Sequence, residues 1–154
     1  MNFKIRDAIK SDMKSVLKLI KELALFEKEP NEVIITEEQL ILDGFNNNQK
    51  FKCFVAEVKS EIVGMALIYP RYSTWKGPAI HLEDLVVTKK YRGKGIGFSL
   101  FSRFIEYSYK LKAKRVQWVV LDWNKDAIDF YIKNGAQVLD DWRVALMDKK
   151  AIKK

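Results

Sequence analysis

The sequence predicts one α/β domain over residues 1–154, with a mixed central β-sheet of about seven strands flanked by about four helices. Stretches with helical apolar spacing alternate with short β-prone runs. Three of those runs follow one another with only brief connections. The last of them leads into a glycine-rich turn that itself opens a helix, an order that a plain hairpin sheet or a helical bundle does not produce.

Taken in order, residues 2–6 form a short β-prone run. Ser11 and Asp12 can cap a helix. Val16, Leu17, Ile20, Leu23, Leu25 and Phe26 then follow at helical spacing, and Pro30 ends it. Thr36-Glu37-Glu38-Gln39 has the form of a capping box and opens a helix over 37–45, broken near Gly44. Asn46-Asn47-Asn48 turns the chain. Residues 51–58 and 62–72 read as strands joined by a tight hairpin, and residues 80–87 as a third strand after a loop. Residues 98–111 are amphipathic and residues 115–121 strongly β-prone. A helix over 126–133 stops at Asn134-Gly135, which suits a left-handed cap. Residues 136–139 and 142–147 complete the expected strands.

Composition narrows the function. Apolar residues make up 48% of the chain, enough for a core, and no run of 18 apolar residues is present to span a membrane. The first residues carry no apolar signal core. Cys53 is the only cysteine, so no internal disulfide forms, and one cysteine with one histidine predicts no metal site. The reducing cytoplasm is the expected compartment. The net charge of +8, concentrated in 110–115 and in Lys149, Lys150, Lys153 and Lys154, admits a nucleic-acid surface, attraction for an anionic cofactor, or a solvated basic face.

The most informative segment is Leu85-Val86-Val87-Thr88-Lys89-Lys90-Tyr91-Arg92-Gly93-Lys94-Gly95-Ile96-Gly97. Glycines allow positive φ and close backbone approach to an anion. Unpaired N–H groups at the helix start, with the positive end of the helix dipole behind them, make a pyrophosphate cradle. Arg92 and Lys94 add charge. A P-loop is excluded because Gly97 is followed by Phe98 rather than Lys-Ser/Thr. Gly93-x-Gly95-x-Gly97 also lacks the spacing of a dinucleotide fingerprint.

Arg92-Gly93-Lys94-Gly95-Ile96-Gly97 resembles the Arg/Gln-x-x-Gly-x-Gly/Ala turn of the GNAT acetyltransferases, and the element order is similar to their fold. Within that superfamily the chain resembles the diamine N-acetyltransferases of spermidine/spermine and thialysine type. Leu19-Ile20-Lys21-Glu22-Leu23-Ala24, Asp43-Gly44-Phe45, Leu82-Glu83-Asp84, Trp123-Asn124 and Phe130-Tyr131-x-x-x-Gly135-Ala136 carry that closer likeness over nearly the whole chain. The resemblance implies a GNAT fold, acetyl-CoA as donor, a small-molecule amine as acceptor and a homodimer, with no metal, nucleic-acid or membrane partner. A protein-lysine or N-terminal acetyltransferase and a non-catalytic acyl-CoA-binding regulatory domain are the other readings.

Acetyl transfer requires an amine that has lost a proton, a stabilised oxyanion and a protonated leaving thiolate. An alkyl ammonium titrates near ~10.4, so a positioned base helps. Glu83 and Asp84 are the candidates. Neighbours on a strand face opposite sides, which leaves only one of them for a given pocket. Resemblance implies Glu83 as base through water and Tyr131 as general acid. It also implies main-chain donors on Leu85, Val86 and Val87, freed by a bulge. It gives the donor's phosphates to Arg92, Gly93, Lys94, Gly95, Ile96, Gly97 and Phe98, with Asn124, Ala127 and Tyr131 alongside. Asn124 reads equally as a helix N-cap. For the acceptor it implies Phe26, Glu27, Glu83, Asp84, Gln117, Trp118, Val119 and an acid at Asp140 or Asp141. The family's usual tyrosine at Phe26 and serine at Ala127 lack their hydroxyls here. His81 reads as a partly exposed strand histidine that nothing partners.

Overall fold

The structure, a computed structural model, describes residues 1–153 and so leaves Lys154 of the basic terminus outside. The chain divides into two compact units, Met1–Val119 and the residues from Val120 onward.

The first unit holds β1 (Lys4–Asp7), α1 (Met13–Phe26), α2 (Glu37–Gly44), β2 (Lys52–Val58), β3 (Glu61–Ser73), β4 (Gly77–Val87), α3 (Ile96–Lys110) and β5 (Arg115–Gln117). Its sheet runs β1-β2-β3-β4-β5. The first four strands pair antiparallel and β5 joins β4 in parallel, so the sheet is mixed as expected. Both faces are covered. Val55, Met65, Leu67 and Val86 join Met13, Val16 and Leu19 of α1 and Leu40 of α2 in one cluster. On the other face Phe54 meets Tyr107 of α3 edge-on at 5.4 Å, and Leu100 and Phe104 of α3 are fully buried. Phe54 and Val55 are neighbours that serve opposite faces. A sheet buried on both sides cannot alternate apolar with polar, which explains the nearly unbroken apolar run of β2.

Local signals hold the helices in place. Thr36 Oγ1 accepts from Gln39 N at 3.2 Å and caps α2. Arg6 donates to both oxygens of Asp12, at 2.6 and 3.0 Å, and to Glu57 at 2.8 Å, which ties β1 to the start of α1 and to β2. α1 ends before Pro30. Glu29 N donates to Ala24 O at 2.9 Å and Lys28 N to Leu25 O at 3.2 Å, with Lys28 left-handed at φ 66. That is a Schellman ending, and it turns the chain out of the helix ahead of the proline.

The second unit contains α4 (Lys125–Lys133) and the four-residue α5 (Lys149–Ile152), which brings the described helices to five rather than four. Gly135 is left-handed at φ 91, as the Asn134-Gly135 ending of α4 predicts. The sheet has five strands rather than seven. Residues 136–139 and 142–147 are not strands among the described residues, and β5 stops at Gln117 instead of 121. β-propensity measures fit to a pleated, half-buried surface. Trp142, Val144 and Leu146 stay 67–82% exposed rather than half-buried. Trp118, next after β5, sets its ring edge-on against Phe101 at 5.6 Å and Phe104 at 6.2 Å.

Candidate functional site

The centre of the first unit's site is an irregularity in β4. Ile68 pairs with Leu82 and Leu67 with Asp84, so Glu83 is an extra residue with no partner on β3. In a regular strand Glu83 and Asp84 would point to opposite faces, as the sequence reading assumed. The bulge breaks that alternation. Both carboxylates line a single cavity of about 320 Å³, together with Ile20, Leu23, Ala24 and Glu27 of α1 and the loop residues Glu29, Glu32, Val33, Ile34 and Ile35. Five acidic residues and six aliphatic ones therefore line one concave space, which suits a cationic ligand with a short hydrocarbon chain.

Glu29 and Glu32 were not among the residues singled out from the sequence. The acid-rich stretch Glu27-Lys28-Glu29-Pro30-Asn31-Glu32 was the available signal. Only the Schellman turn after α1 brings it to the cavity. Phe26, Gln117, Trp118 and Val119 were expected at the acceptor but do not line this space. Phe26 instead lies under the Arg92 guanidinium, 5.6 Å from ring centroid to charge. Gln117 pairs with His81, Trp118 packs on α3 and Val119 is exposed.

Burial pushes the Asp84 carboxyl up to about 7, and the neighbouring charges of Glu83 and Glu27 push the same way. Burial also raises Glu27. A carboxyl raised on folding keeps its proton in the native state after the unfolded chain has lost it. Its contribution to stability is full below the unfolded value of 3.8 and is lost as pH rises toward about 7. Asp84→Asn has no such loss. Its Tm should therefore gain on the unsubstituted protein as pH rises from 5 to 8. Thermal melts at both pH values check this, and an unchanged Tm difference would contradict it.

Beyond the bulge, Leu85, Val86 and Val87 pair regularly with Ala66, Met65 and Gly64, so the irregularity is not at 85–87 as expected. The open main-chain edge has a different origin. β4 and β5 pair only from Ala79↔Arg115 to His81↔Gln117. From Leu82 to Val87, β4 has a strand neighbour on the β3 side alone among the described residues.

β4 then enters the glycine turn. Gly93 and Gly95 have φ of 70 and 82, and an added Cβ would meet nothing within 4 Å at either. These glycines are needed for backbone conformation, not for space. Gly95 caps α3 without a side-chain hydrogen bond, so Ile96, Gly97 and Phe98 present their N–H groups at the start of a fifteen-residue helix. That arrangement fits the pyrophosphate of a nucleotide-bearing donor. The two basic side chains are partly engaged in holding the turn. Arg92 Nε donates to Val87 O at 2.8 Å, and Lys94 Nζ donates to Lys90 O at 3.0 Å and stands 5.3 Å from the Tyr91 ring centroid. Glu22 of α1 anchors the turn's entrance, accepting from Thr88 Oγ1 at 2.6 Å and Lys89 N at 2.9 Å.

His81 corrects the sequence reading. It is 6% exposed, with a charged side chain near each ring nitrogen. Nδ1 lies 3.4 Å from Arg71 Nη1, Nε2 lies 3.6 Å from Glu83 Oε2, and the ring stacks on Tyr69 at 5.0 Å.

In the second unit Asn124 Oδ1 accepts from Ala127 N at 3.3 Å, so the N-cap reading of Asn124 holds. Ala127 lies in the first turn of α4. Tyr131 is buried on the same helix, 8% exposed, with its ring 5.4 Å from Phe130. Asp140 and Asp141 are both exposed, outside helix and strand.

No helix among the described residues is long and apolar enough to cross a membrane, and no group of three or more His, Cys, Asp or Glu side chains among them could hold a metal ion.

Residues 15–136 match the family described as acetyltransferase (GNAT). The chain is 41% identical to the thialysine N-epsilon-acetyltransferase of Bos taurus, over 89% of this chain and 85% of that protein. It is 35% identical to spermidine/spermine N(1)-acetyltransferase-like protein 1 of Homo sapiens, over 87% of this chain and 20% of that longer protein. An integron cassette protein from the mobile metagenome of V. cholerae has the same fold at a TM-score of 0.79, with 20% identity over 99% of this chain and 96% of the other.

Proposed function

The chain belongs to the acetyltransferase (GNAT) family, and from that premise we propose that it moves an acetyl group from acetyl-CoA to a primary amine of a small polyamine, diamine or thialysine-like acceptor. The observation that carries the acceptor class is the cavity lined by Glu27, Glu29, Glu32, Glu83 and Asp84. An acceptor with a second cationic group satisfies more of those carboxylates than a simple amine does. The relatives named for thialysine and spermidine/spermine support the same class.

Acetyl-CoA supplies a thioester whose acetyl carbon accepts an amine lone pair. The chain's residues do the rest. N–H groups of Ile96, Gly97 and Phe98, with Gly93, Gly95, Arg92 and Lys94, take the pyrophosphate. Main-chain groups of Leu85, Val86 and Val87 along the open edge of β4 hold the donor's amides and carbonyl oxygen. Asn124 and Ala127 flank the donor. Glu83 takes the proton of the acceptor's ammonium, and the Tyr131 hydroxyl, neutral at pH 7, gives a proton to the departing sulfur. Asp84 and Glu27 hold the acceptor's charge, while Phe26, Gln117, Trp118 and Val119, which do not line the cavity, take no direct part in holding it. Both units act as one domain, a reading supported by a family match that runs through residues 15–136. The working form is a cytoplasmic homodimer without nucleic-acid or membrane partners.

Purified protein incubated with acetyl-CoA and an amine panel tests the reading. Release of CoA thiol with diamines and thialysine-like acceptors is the expected result. Absence of release with every amine, polyamine and lysine peptide would refute it. Faster turnover of lysine peptides would move the acceptor to protein.

A further inference from the structure

A group of side chains on β3 and β4 has no place in the scheme so far. Tyr69 and His81 are direct cross-strand partners, and their rings stack at 5.0 Å with 27° between the planes. Tyr69 Oη donates to Glu83 Oε2 at 2.9 Å. His81 Nε2 lies 3.6 Å from the same oxygen. On the far side of the imidazole, Arg71 Nη1 is 3.4 Å from Nδ1.

A guanidinium can only donate. Nδ1 must therefore be the bare, accepting nitrogen, and the proton of neutral His81 sits on Nε2, facing Glu83. Burial lowers His81, the charge on Glu83 opposes that, and Arg71 adds to it, so the ring is neutral near pH 7. The remaining neighbour, Gln117 across the β4–β5 pair, carries no charge. Tyr69 is held in its hydroxyl form, pushed up to about 12 by burial and by its bond to Glu83.

Glu83 Oε2 thus accepts from Tyr69 and lies 3.6 Å from His81 Nε2, while the side chain stays 51% exposed. An unpartnered glutamate on a bulge would sample several rotamers, and holding it in one costs conformational entropy. A proton acceptor must instead stand within hydrogen-bond reach of the group that it deprotonates.

We propose that Tyr69, His81 and Arg71 are positioning residues for proton transfer. Tyr69 holds Glu83 by a hydrogen bond to Oε2, the Nε2–H of His81 is turned toward the same oxygen without bonding it, Arg71 sets the imidazole tautomer, and Oε1 is left to receive the acceptor's proton, directly or through one water. The proton passes from the ammonium nitrogen to Oε1, and the lone pair freed on nitrogen forms the new bond to the acetyl carbon. The proposal rests on Glu83 acting as the base.

The test is a double-mutant cycle with Tyr69→Phe, His81→Phe and His81→Gln, alone and in the Glu83→Gln background. Phenylalanine keeps the ring stack, and glutamine keeps an N–H donor where Nε2 stands. Tyr69→Phe should lower kcat for a diamine about tenfold near pH 7, the size expected for one hydrogen bond to a charged group, and His81→Phe should lower it by less. The KM for acetyl-CoA should not change. His81→Gln should recover most of the loss. In the Glu83→Gln background the same changes should have little further effect, because there is no carboxylate left to orient. Losses that multiply in that background, or unchanged kcat in the single variants, would overturn the proposal.

A second readout does not depend on turnover. His81 is the chain's one histidine, so nitrogen NMR of the imidazole reports it alone. The Nε2–H tautomer should dominate at neutral pH, and Glu83→Gln should lower the ring's titration midpoint. An Nδ1–H ring, or a midpoint insensitive to Glu83, would break the arrangement itself. A protein with the expected tautomer but no transfer to any amine would instead refute the acetyltransferase reading and the catalytic role built on it.

Discussion

Glu83→Gln should lower kcat/KM for a simple alkyl diamine by about 10²- to 10⁴-fold near pH 7, the range that a positioned general base supplies. Glutamine keeps the size and can still accept from Tyr69, but it cannot take a proton. The loss should depend on how the acceptor arrives. An alkyl ammonium titrates near ~10.4, so free amine is scarce at pH 7 and plentiful as pH approaches that value. The deficit should shrink with rising pH. It should also be smaller for a thialysine-like acceptor, whose amine holds its proton less tightly. A purely structural Glu83 predicts neither dependence, because lost stability depresses all acceptors alike. Rate profiles for two acceptors over pH 7 to 10 decide the matter. A loss independent of pH and equal for both would remove Glu83 from the base role and leave Asp84 or bulk water to take it. Asp84 lines the same cavity, and burial pushes its carboxyl up to about 7, well placed for a base at neutral pH.

Tyr131→Phe should lower kcat by about 10²-fold if its hydroxyl protonates the leaving sulfur. The KM for acetyl-CoA should change little, since only one oxygen is removed. Tyr131 is 8% exposed and packs its ring against Phe130, so the aromatic packing of α4 survives the change. Steady-state kinetics with saturating amine checks the expectation. An undiminished kcat would make the hydroxyl a structural one. A fall in kcat that tracks a fall in Tm would point the same way.

The likeness of Leu82-Glu83-Asp84 to a family block pointed to β4, yet the local geometry there differs from the regular alternation expected. Alternation along a strand is a sound rule until a residue is inserted, and no local signal in Leu82-Glu83-Asp84 announces a bulge. The insertion shows only when β3 is laid beside β4. His81 was misread for the same reason. Its stacking partner Tyr69 is twelve residues away and Arg71 ten, both on another strand. The terminal strands failed differently. Residues 142–147 are β-prone, but propensity without a partner row of backbone groups does not make a strand.

What the sequence determined by itself is local. The strand–turn–helix passage at 85–98 could be read directly because positive φ at Gly93 and Gly95 and the uncapped start of α3 depend on neighbouring residues alone. The helix starts at Thr36 and Asn124 are equally local, since a cap closes within three residues. The family followed from the same blocks. Only the tertiary structure decided which carboxylates share a space and which side chains hold Glu83. Those facts rest on register between strands and on where α1 releases the chain, and they are fixed by hydrogen bonds and packing between residues far apart in sequence. A linear pattern carries periodicity, but it does not carry the partner against which that periodicity is counted.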